Sequence, residues 1–228
     1  MSPNNGLMVS EVTVIRRACF VASAIVAGWV LSDTMAAQLA SRPAEEWIKT
    51  LESPERVASL RTDEVIARLK LKPGDVVADL GAGSGLFSFP AAKAVASGRV
   101  YAVELDEGFL TRIRDKAKAQ GVTNIVTVRG QFTDPSLPAR DVDVAFFHDV
   151  LHHVENRAAY LESVAGYLKP GGRIAVIEFN PGDSPHKAEP QLVVSKEQAA
   201  GWMAGAGFVP DEEIALFPDK YFVVYRRK

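Results

Sequence analysis

The sequence predicts an α/β fold, an open, doubly wound and mostly parallel sheet. Three observations carry that prediction. Short, nearly all-apolar runs recur along the chain, as strands buried on both faces of a parallel sheet require. Helix-period segments lie between them, which is the alternation of βα units. The last two runs, Phe208–Leu216 and Tyr221–Arg226, flank Pro218-Asp219 with no helix between, so the alternation ends in an antiparallel hairpin. The length of 228 residues suits one such domain, and 47% apolar against 24% charged residues is an ordinary globular balance.

Helices open the domain. Arg42–Leu51 and Ser53–Leu69 carry helical spacing, with Ser53-Pro54 as a cap and first-turn pair and Thr62 able to cap a second start. Lys72-Pro73-Gly74-Asp75 then makes a turn into the first strand, Val76–Leu80. Further strands are read at Val100–Glu104, Ile125–Arg129, Val142–Phe147 and Arg173–Phe179. Helices Leu86–Val95, Glu107–Gln120, Arg157–Leu168 and Ser195–Ala206 fill the gaps. Five βα units and a terminal hairpin result. In such a sheet the ligand crevice lies at the carboxyl ends of the strands.

The first forty residues differ from the rest and are read as a leader, with the domain, including N-terminal helices over 42–69, occupying 41–228. Arg16 and Arg17 precede an uncharged run, Ala18–Leu31, of fourteen residues. That is short of the roughly 20 needed to span hydrocarbon, and it fits the apolar region of an export signal with Thr34-Met35-Ala36 behind it. An export signal, a helix docking residues 18–31 on a membrane and a buried N-terminal helix all stay open, and with them the location of the protein. A net charge of −2 gives no electrostatic footprint for nucleic acid. One cysteine, Cys19, excludes an internal disulfide framework and any multi-cysteine metal site.

The richest segment is Val76–Gly85, VVADLGAGSG. A buried strand ends in Asp79, and Gly81, Gly83 and Gly85 follow at alternate positions around Ala82, so a ligand can lie against bare backbone. A dinucleotide fingerprint would need a third glycine at the place of Leu86, and an acid before the loop repels pyrophosphate. The same acid suits a ligand carrying an amino group or a sulfonium. Glu104, 19 residues beyond Gly85, ends the next strand and has the reach to accept both ribose hydroxyls.

VVADLGAGSG resembles the first motif of class I S-adenosylmethionine-dependent methyltransferases, and VYAVELDEGFL their second-strand segment. DVDVAFFHDVLHHV and LKPGGRIAVIEF are similar to the fourth strand with its exit and to the turn and fifth strand. The likeness covers roughly Leu71–Lys228. It implies a seven-stranded sheet whose last strand is antiparallel and inserted beside the fifth, with S-adenosyl-L-methionine as the cofactor. By the same likeness Asp79, Gly81, Ala82, Gly83 and Gly85 line the methionine and ribose part, Glu104 takes the ribose hydroxyls and Leu105 packs on adenine. Gln131 stands where relatives carry an adenine-binding acid, Phe132 offers a stacking face, and His148 sits at the border between cofactor and acceptor.

The acceptor is expected to be small or lipid-like, since no insertion supplies a lid or second domain. A nucleic-acid acceptor is not expected, because the place after the fourth strand reads His148-Asp149-Val150-Leu151 instead of an Asn/Asp-Pro-Pro-Tyr/Phe run. Asp149 and His152 are the catalytic candidates, as groups just beyond the strand end where a general base would act. Of the remaining histidines, His153 reads as local packing. No metal is expected, because His148 and His152 lack a clear third ligand beside Asp149. Asn180–Val194, with three prolines and His186, reads as a solvated loop or a segment gating the acceptor. A nicotinamide-dependent oxidoreductase and a non-catalytic S-adenosylmethionine-binding protein are the competing functions. The oligomeric state is not legible.

Overall fold

A computed structural model describes residue 1 and residues 43–228; the leader reading of residues 1–40 otherwise lies outside the described residues. Seven strands form one sheet: β1 (Val76–Leu80), β2 (Arg99–Glu104), β3 (Ile125–Arg129), β4 (Val142–His148), β5 (Leu168–Phe179), β6 (Phe208–Glu213) and β7 (Lys220–Arg227). Their order is β3-β2-β1-β4-β5-β7-β6. The first five pair in parallel, and β7 runs antiparallel between β5 and β6. The expected α/β class, the seven strands and the inserted last strand are all present.

Every residue of β1 is buried, because the strand lies mid-sheet with helices on both faces. Alternation sorts the side chains. Val77, Phe146, Ala175 and Ile177 point to the face covered by α3 (Thr62–Arg68) and α4 (Ser88–Ala94), with Val65, Leu69, Phe87, Ala91 and Ala92. Ile113 of α5 (Glu107–Gln120) meets Ala102 on that same face. Ala78, Leu80, Phe147, Ile174 and Val176 point the other way, to α6 (Arg157–Tyr167) and α7 (Lys196–Gly205). Ser195 and Gln198 close a capping box that fixes the start of α7.

Two helices precede this core: α1 (Ala44–Leu51) and α2 (Pro54–Ser59), the latter capped by Ser53. The helical stretch read over Ser53–Leu69, with a second start at Thr62, is α2 and α3, and Thr62 is the first residue of α3 rather than its cap. The break falls at Arg61, whose φ of 49° lies in the left-handed region. Its guanidinium binds the Leu216 carbonyl and Glu64 there, which ties the break to the far end of the chain. A second correction concerns Leu168, expected as the end of a helix. It pairs with Val142 as the first residue of β5, and the ladder skips to Val144–Arg173 around Pro170-Gly171-Gly172. Among the described residues, no helix is long and apolar enough to cross a membrane.

The turn into β2 has no room for a side chain. A Cβ on Gly98 would collide with the backbone carbonyl of Asp75, the group that accepts the Arg99 amide. Because a backbone atom cannot swing aside, Gly98→Ala is expected to destabilise the domain by about 1–3 kcal/mol. Urea unfolding followed by circular dichroism measures it, and an unchanged midpoint would contradict this packing.

Candidate active site

The site gathers at the carboxyl ends of β1, β2 and β4. After β1 the chain turns through Gly81, Gly83 and Gly85, with φ values of 74°, 54° and 82°. All three lie in the left-handed region, where a Cβ strains the backbone. The loop is pinned to β2, since the Gly81 and Ala82 amides both donate to the Val103 carbonyl at 2.9 and 3.0 Å. At Gly83 the nearest atom among the described residues is Leu51 Cδ1 of α1, 3.4 Å from where a Cβ would stand. Leu51 therefore marks the helix that borders the cradle. Its neighbour Glu52 is held by Arg112 of α5 at 2.6 Å.

Two carboxylates face this loop. Asp79 is buried at the tip of β1, and Ser88 Oγ donates to its Oδ2 at 2.6 Å. Burial pushes the Asp79 carboxyl up to about 7, against the Ser88 hydrogen bond that holds it down and with a further push from the charge of Glu104. Glu104 accepts the Gly83 amide on Oε1 at 2.8 Å and the Leu105 amide on Oε2 at 2.9 Å. Burial raises its carboxyl above the ordinary range, while the Gly83, Leu105 and Asp106 amides oppose the rise. Each oxygen of an ionised carboxylate has two acceptor positions, so Glu104 is oriented by one bond per oxygen and keeps one lone pair per oxygen for a ligand.

The remaining cofactor-side candidates are more open. Leu105 follows Glu104 directly, and the Gly130 amide donates to the Glu104 carbonyl at 3.0 Å, bringing the next loop to the same edge. Gln131 is exposed and forms an isolated bridge with Asp134, and Phe132 is 44% exposed, a large ring left facing solvent beside the crevice.

On the far side of β1, His148 ends β4 against the ring of Phe87, centroids 4.5 Å apart. Its Nδ1 lies 3.4 Å from Asp149 Oδ2, and its buried Nε2 has no hydrogen-bond partner. Burial pushes His148 down to about 4, with Asp149 opposing and Lys220 and Arg56 reinforcing the drop. The ring is therefore neutral at physiological pH. Asp149 adopts a φ of 54° and turns its Oδ2 to Lys220 Nζ at 2.5 Å, with Arg56 Nη2 at 4.0 Å. Its Oδ1 is buried and unpartnered, like Arg56 Nε. Three unpartnered polar atoms, on His148, Asp149 and Arg56, thus belong to one connected cluster. Lys220 also lies 4.1 Å from the ring centre of Phe179. His152 is held differently: it sits in a 3₁₀ turn, Leu151–His153, and its Nδ1 meets the buried Glu178 at 2.7 Å.

Sequence reasoning singled out Asp79, Gly81, Gly83, Gly85, Glu104, His148 and Asp149, and the fold brings them to one edge. It missed Arg56, Lys220 and Glu178. The signal for Glu178 was available, a lone charge closing the apolar run of β5. A surface concavity of about 850 Å³ around Ile66, Phe89, Lys93 and Asn124 includes none of the loop glycines or strand-end acids.

This fold and this loop define an α/β protein with a glycine-rich turn and two strand-end carboxylates at the carboxyl ends of its parallel strands. Residues 78–176 match the family model of the methyltransferase domain. Over 117 residues the chain is 30% identical to a ubiquinone/menaquinone biosynthesis C-methyltransferase of Hydrogenovibrio crunogenus, covering 50% of this chain and 46% of that one. It is 28% identical to the 27-O-demethylrifamycin SV methyltransferase of Amycolatopsis mediterranei, covering 66% of this chain and 55% of that one. The chain thus spans about half the length of the curated relatives it matches. A SAM dependent methyltransferase from Aquifex aeolicus superposes with a TM-score of 0.73 at 22% identity, over 82% of this chain and all of that one. Residues 78–176 are thus similar to a methyltransferase domain, and the fold is shared with a SAM dependent methyltransferase of known structure.

The Lys220–Asp149 pair has side-chain exposures of 8% and 6%. Removing one partner of such a pair leaves the other charge buried alone, so Lys220→Met is expected to cost about 3–5 kcal/mol. Chemical denaturation checks this, together with the double variant Lys220→Met/Asp149→Asn, which should recover part of the loss.

Proposed function

We propose that the chain binds S-adenosylmethionine in the cradle between Asp79 and Glu104 and moves its methyl group to a small-molecule acceptor, hydroxyl or activated carbon, beside His148 and Asp149. The observation that carries this reading is the glycine loop itself, a bare-backbone bend set between the buried Asp79 and the half-buried Glu104 carboxylates. When bound, the cofactor supplies a methyl group on positively charged sulfur, already activated for in-line displacement. The chain's own work is then mostly positioning, which contributes on the order of 7–11 kcal/mol when reactants are well oriented.

Each residue has a task that fits its surroundings. Glu104 offers two pre-oriented lone pairs, the number a ribose diol needs. Asp79 supplies negative charge near the cationic ligand and loses its own burial penalty in doing so. Leu105 and Phe132 give apolar surface for the adenine ring, with Gln131 at its polar edge. His148 Nε2, neutral and unpartnered, is the base for the acceptor's proton, and the Asp149 carboxylate 3.4 Å from Nδ1 offsets the charge the ring gains. A positioned base of this kind contributes about 10²–10⁴-fold. His152, fixed on Glu178, keeps a free Nε2 but is not turned toward Asp149.

The acceptor class rests on the relatives, one named for C-methylation in quinone biosynthesis and one for O-methylation of a rifamycin. Both are small molecules, and both reactions release a proton, which suits the His148–Asp149 pair. A nicotinamide cofactor fits worse, because the Asp79 carboxylate already faces Ser88 at the start of α4, where pyrophosphate would lie.

Calorimetric titration of the full chain with S-adenosylmethionine and S-adenosylhomocysteine, followed by transfer assays on phenol and quinol acceptors, tests the reading. Gly83→Val should abolish binding, because a branched side chain at a φ of 54° both strains the loop and fills the cradle. Glu104→Ala should weaken binding by about 1–3 kcal/mol, the scale of lost charge-assisted hydrogen bonds. Undiminished affinity in both variants would move the cofactor elsewhere, and binding without transfer would favour a non-catalytic role.

The pH dependence has a definite sign. An acid whose folded pKa is raised to about 7 must lose its proton to face a cation. Affinity for S-adenosylmethionine should therefore rise from about pH 6 to about pH 8, with proton release near pH 7. Asp79 acts oppositely on stability, contributing most at low pH and losing that contribution as pH rises through 7. Titrations in two buffers of different ionisation heat measure the released proton, and a flat or falling affinity would contradict the role of Asp79.

A further inference from the structure

A second cluster lies on the other face of the sheet from His148. His152 and His153, in the 3₁₀ turn after β4, meet His186 from the segment after β5. Ring centroids are 4.1 Å apart for His152–His153, 5.3 Å for His152–His186 and 5.7 Å for His153–His186. One ring nitrogen of each lies within 4.8 Å of the other two. We infer that these three imidazoles form a binding site for a divalent ion of the zinc class, with a fourth coordination position open.

Three features support a ligand site over incidental crowding. First, the outer contacts fix the tautomers. His152 Nδ1 is engaged by the buried Glu178 at 2.7 Å, and His186 Nδ1 by Glu189 Oε1 at 3.2 Å. A carboxylate on Nδ1 leaves the Nε2 lone pair free and more basic, the arrangement found behind zinc-bound histidines. Second, Glu178 and Glu189 supply negative charge behind the rings, which offsets that of a bound dication. Third, Arg157 holds both ligand-bearing segments in place: its guanidinium donates to the Leu151 and His152 carbonyls and to Gln191 O at 2.7 Å. His186 is thereby kept beside the turn, with its own segment further fixed by a 3₁₀ turn at Pro190–Leu192.

Tetrahedral zinc with bonds of about 2.0 Å sets its ligand nitrogens roughly 3.3 Å apart. Nitrogens up to 4.8 Å apart must therefore close by up to about 1.5 Å, and His153 and His186, less buried than His152, are the ones free to do so. Three neutral nitrogens suit zinc better than calcium or magnesium, which take oxygen ligands. The open position lies at the carboxyl ends of β4 and β5, where water or an oxygen of an acceptor can complete the shell.

The test uses the full chain stripped of metal. Zinc is titrated in competition with a chromogenic chelator, and cobalt is followed by its visible absorption, which is intense only for a tetrahedral site. One equivalent of zinc and a tetrahedral cobalt spectrum are expected. His186→Ala and His153→Ala should each weaken binding at least tenfold, and Glu189→Gln roughly 10-fold or more. Circular dichroism of each variant separates loss of ligand from loss of fold, and Glu189→Gln leaves all three rings in place. Less than one equivalent bound, or zinc affinity unchanged in His186→Ala, would overturn the site. S-adenosylhomocysteine binding measured on the same metal-free sample reports separately on the methyltransferase reading.

Discussion

The structure turns on two carboxylates drawn in at the end of an otherwise apolar sheet. Asp79 is buried and Glu104 half-buried at neighbouring strand tips, β1 and β2, and a bare-backbone loop runs between them. An unpaired buried charge is costly, and each acid meets that cost differently. Glu104 is bound by two backbone amides and is ready as an acceptor. Asp79 has one hydroxyl partner and a carboxyl raised to about 7, so part of its cost stays unmet until a cation arrives. A raised carboxyl pKa at a strand end is the pattern expected of a group kept for a ligand.

Around this centre the polar atoms divide by face. The face bearing Phe87 and Phe146 carries His148, linked through Asp149 to Lys220 and Arg56. The opposite face, bearing Ile174 and Val176, carries Glu178 and the three clustered imidazoles. His148 and His152 of the HDVLHH segment therefore serve different surroundings although they stand only four positions apart. The 3₁₀ turn and the left-handed Asp149 make that division, because a regular helix from His148 would have put both rings on one side.

Much of the fold was legible because its signals are local. Strands buried on both faces leave uninterrupted apolar runs, as in Val76–Leu80, and the glycine loop declares itself by residues that only left-handed backbone requires. Boundaries were less legible where distant groups intervene. Arg61, not Thr62, makes the break before the second start, in a left-handed conformation that reaches Leu216, 155 residues away, and Leu168 joins a strand because Val142 offers it a ladder partner. The site followed the same rule. Asp79 and Glu104 announce themselves at strand ends, whereas Lys220 reaches Asp149, 71 residues earlier in the chain, only because β7 inserts antiparallel beside β5. His186 meets His152 through the path of an irregular segment whose spacing gives no hint of it.

A crystal structure of the full chain with S-adenosylhomocysteine tests the central claim most directly. It should show the ribose hydroxyls on the two oxygens of Glu104, the sulfur over the Gly83 backbone and a vacant path from it toward His148 Nε2. A nucleoside seated away from Glu104, or a sulfur turned from the glycine bend, would contradict the account.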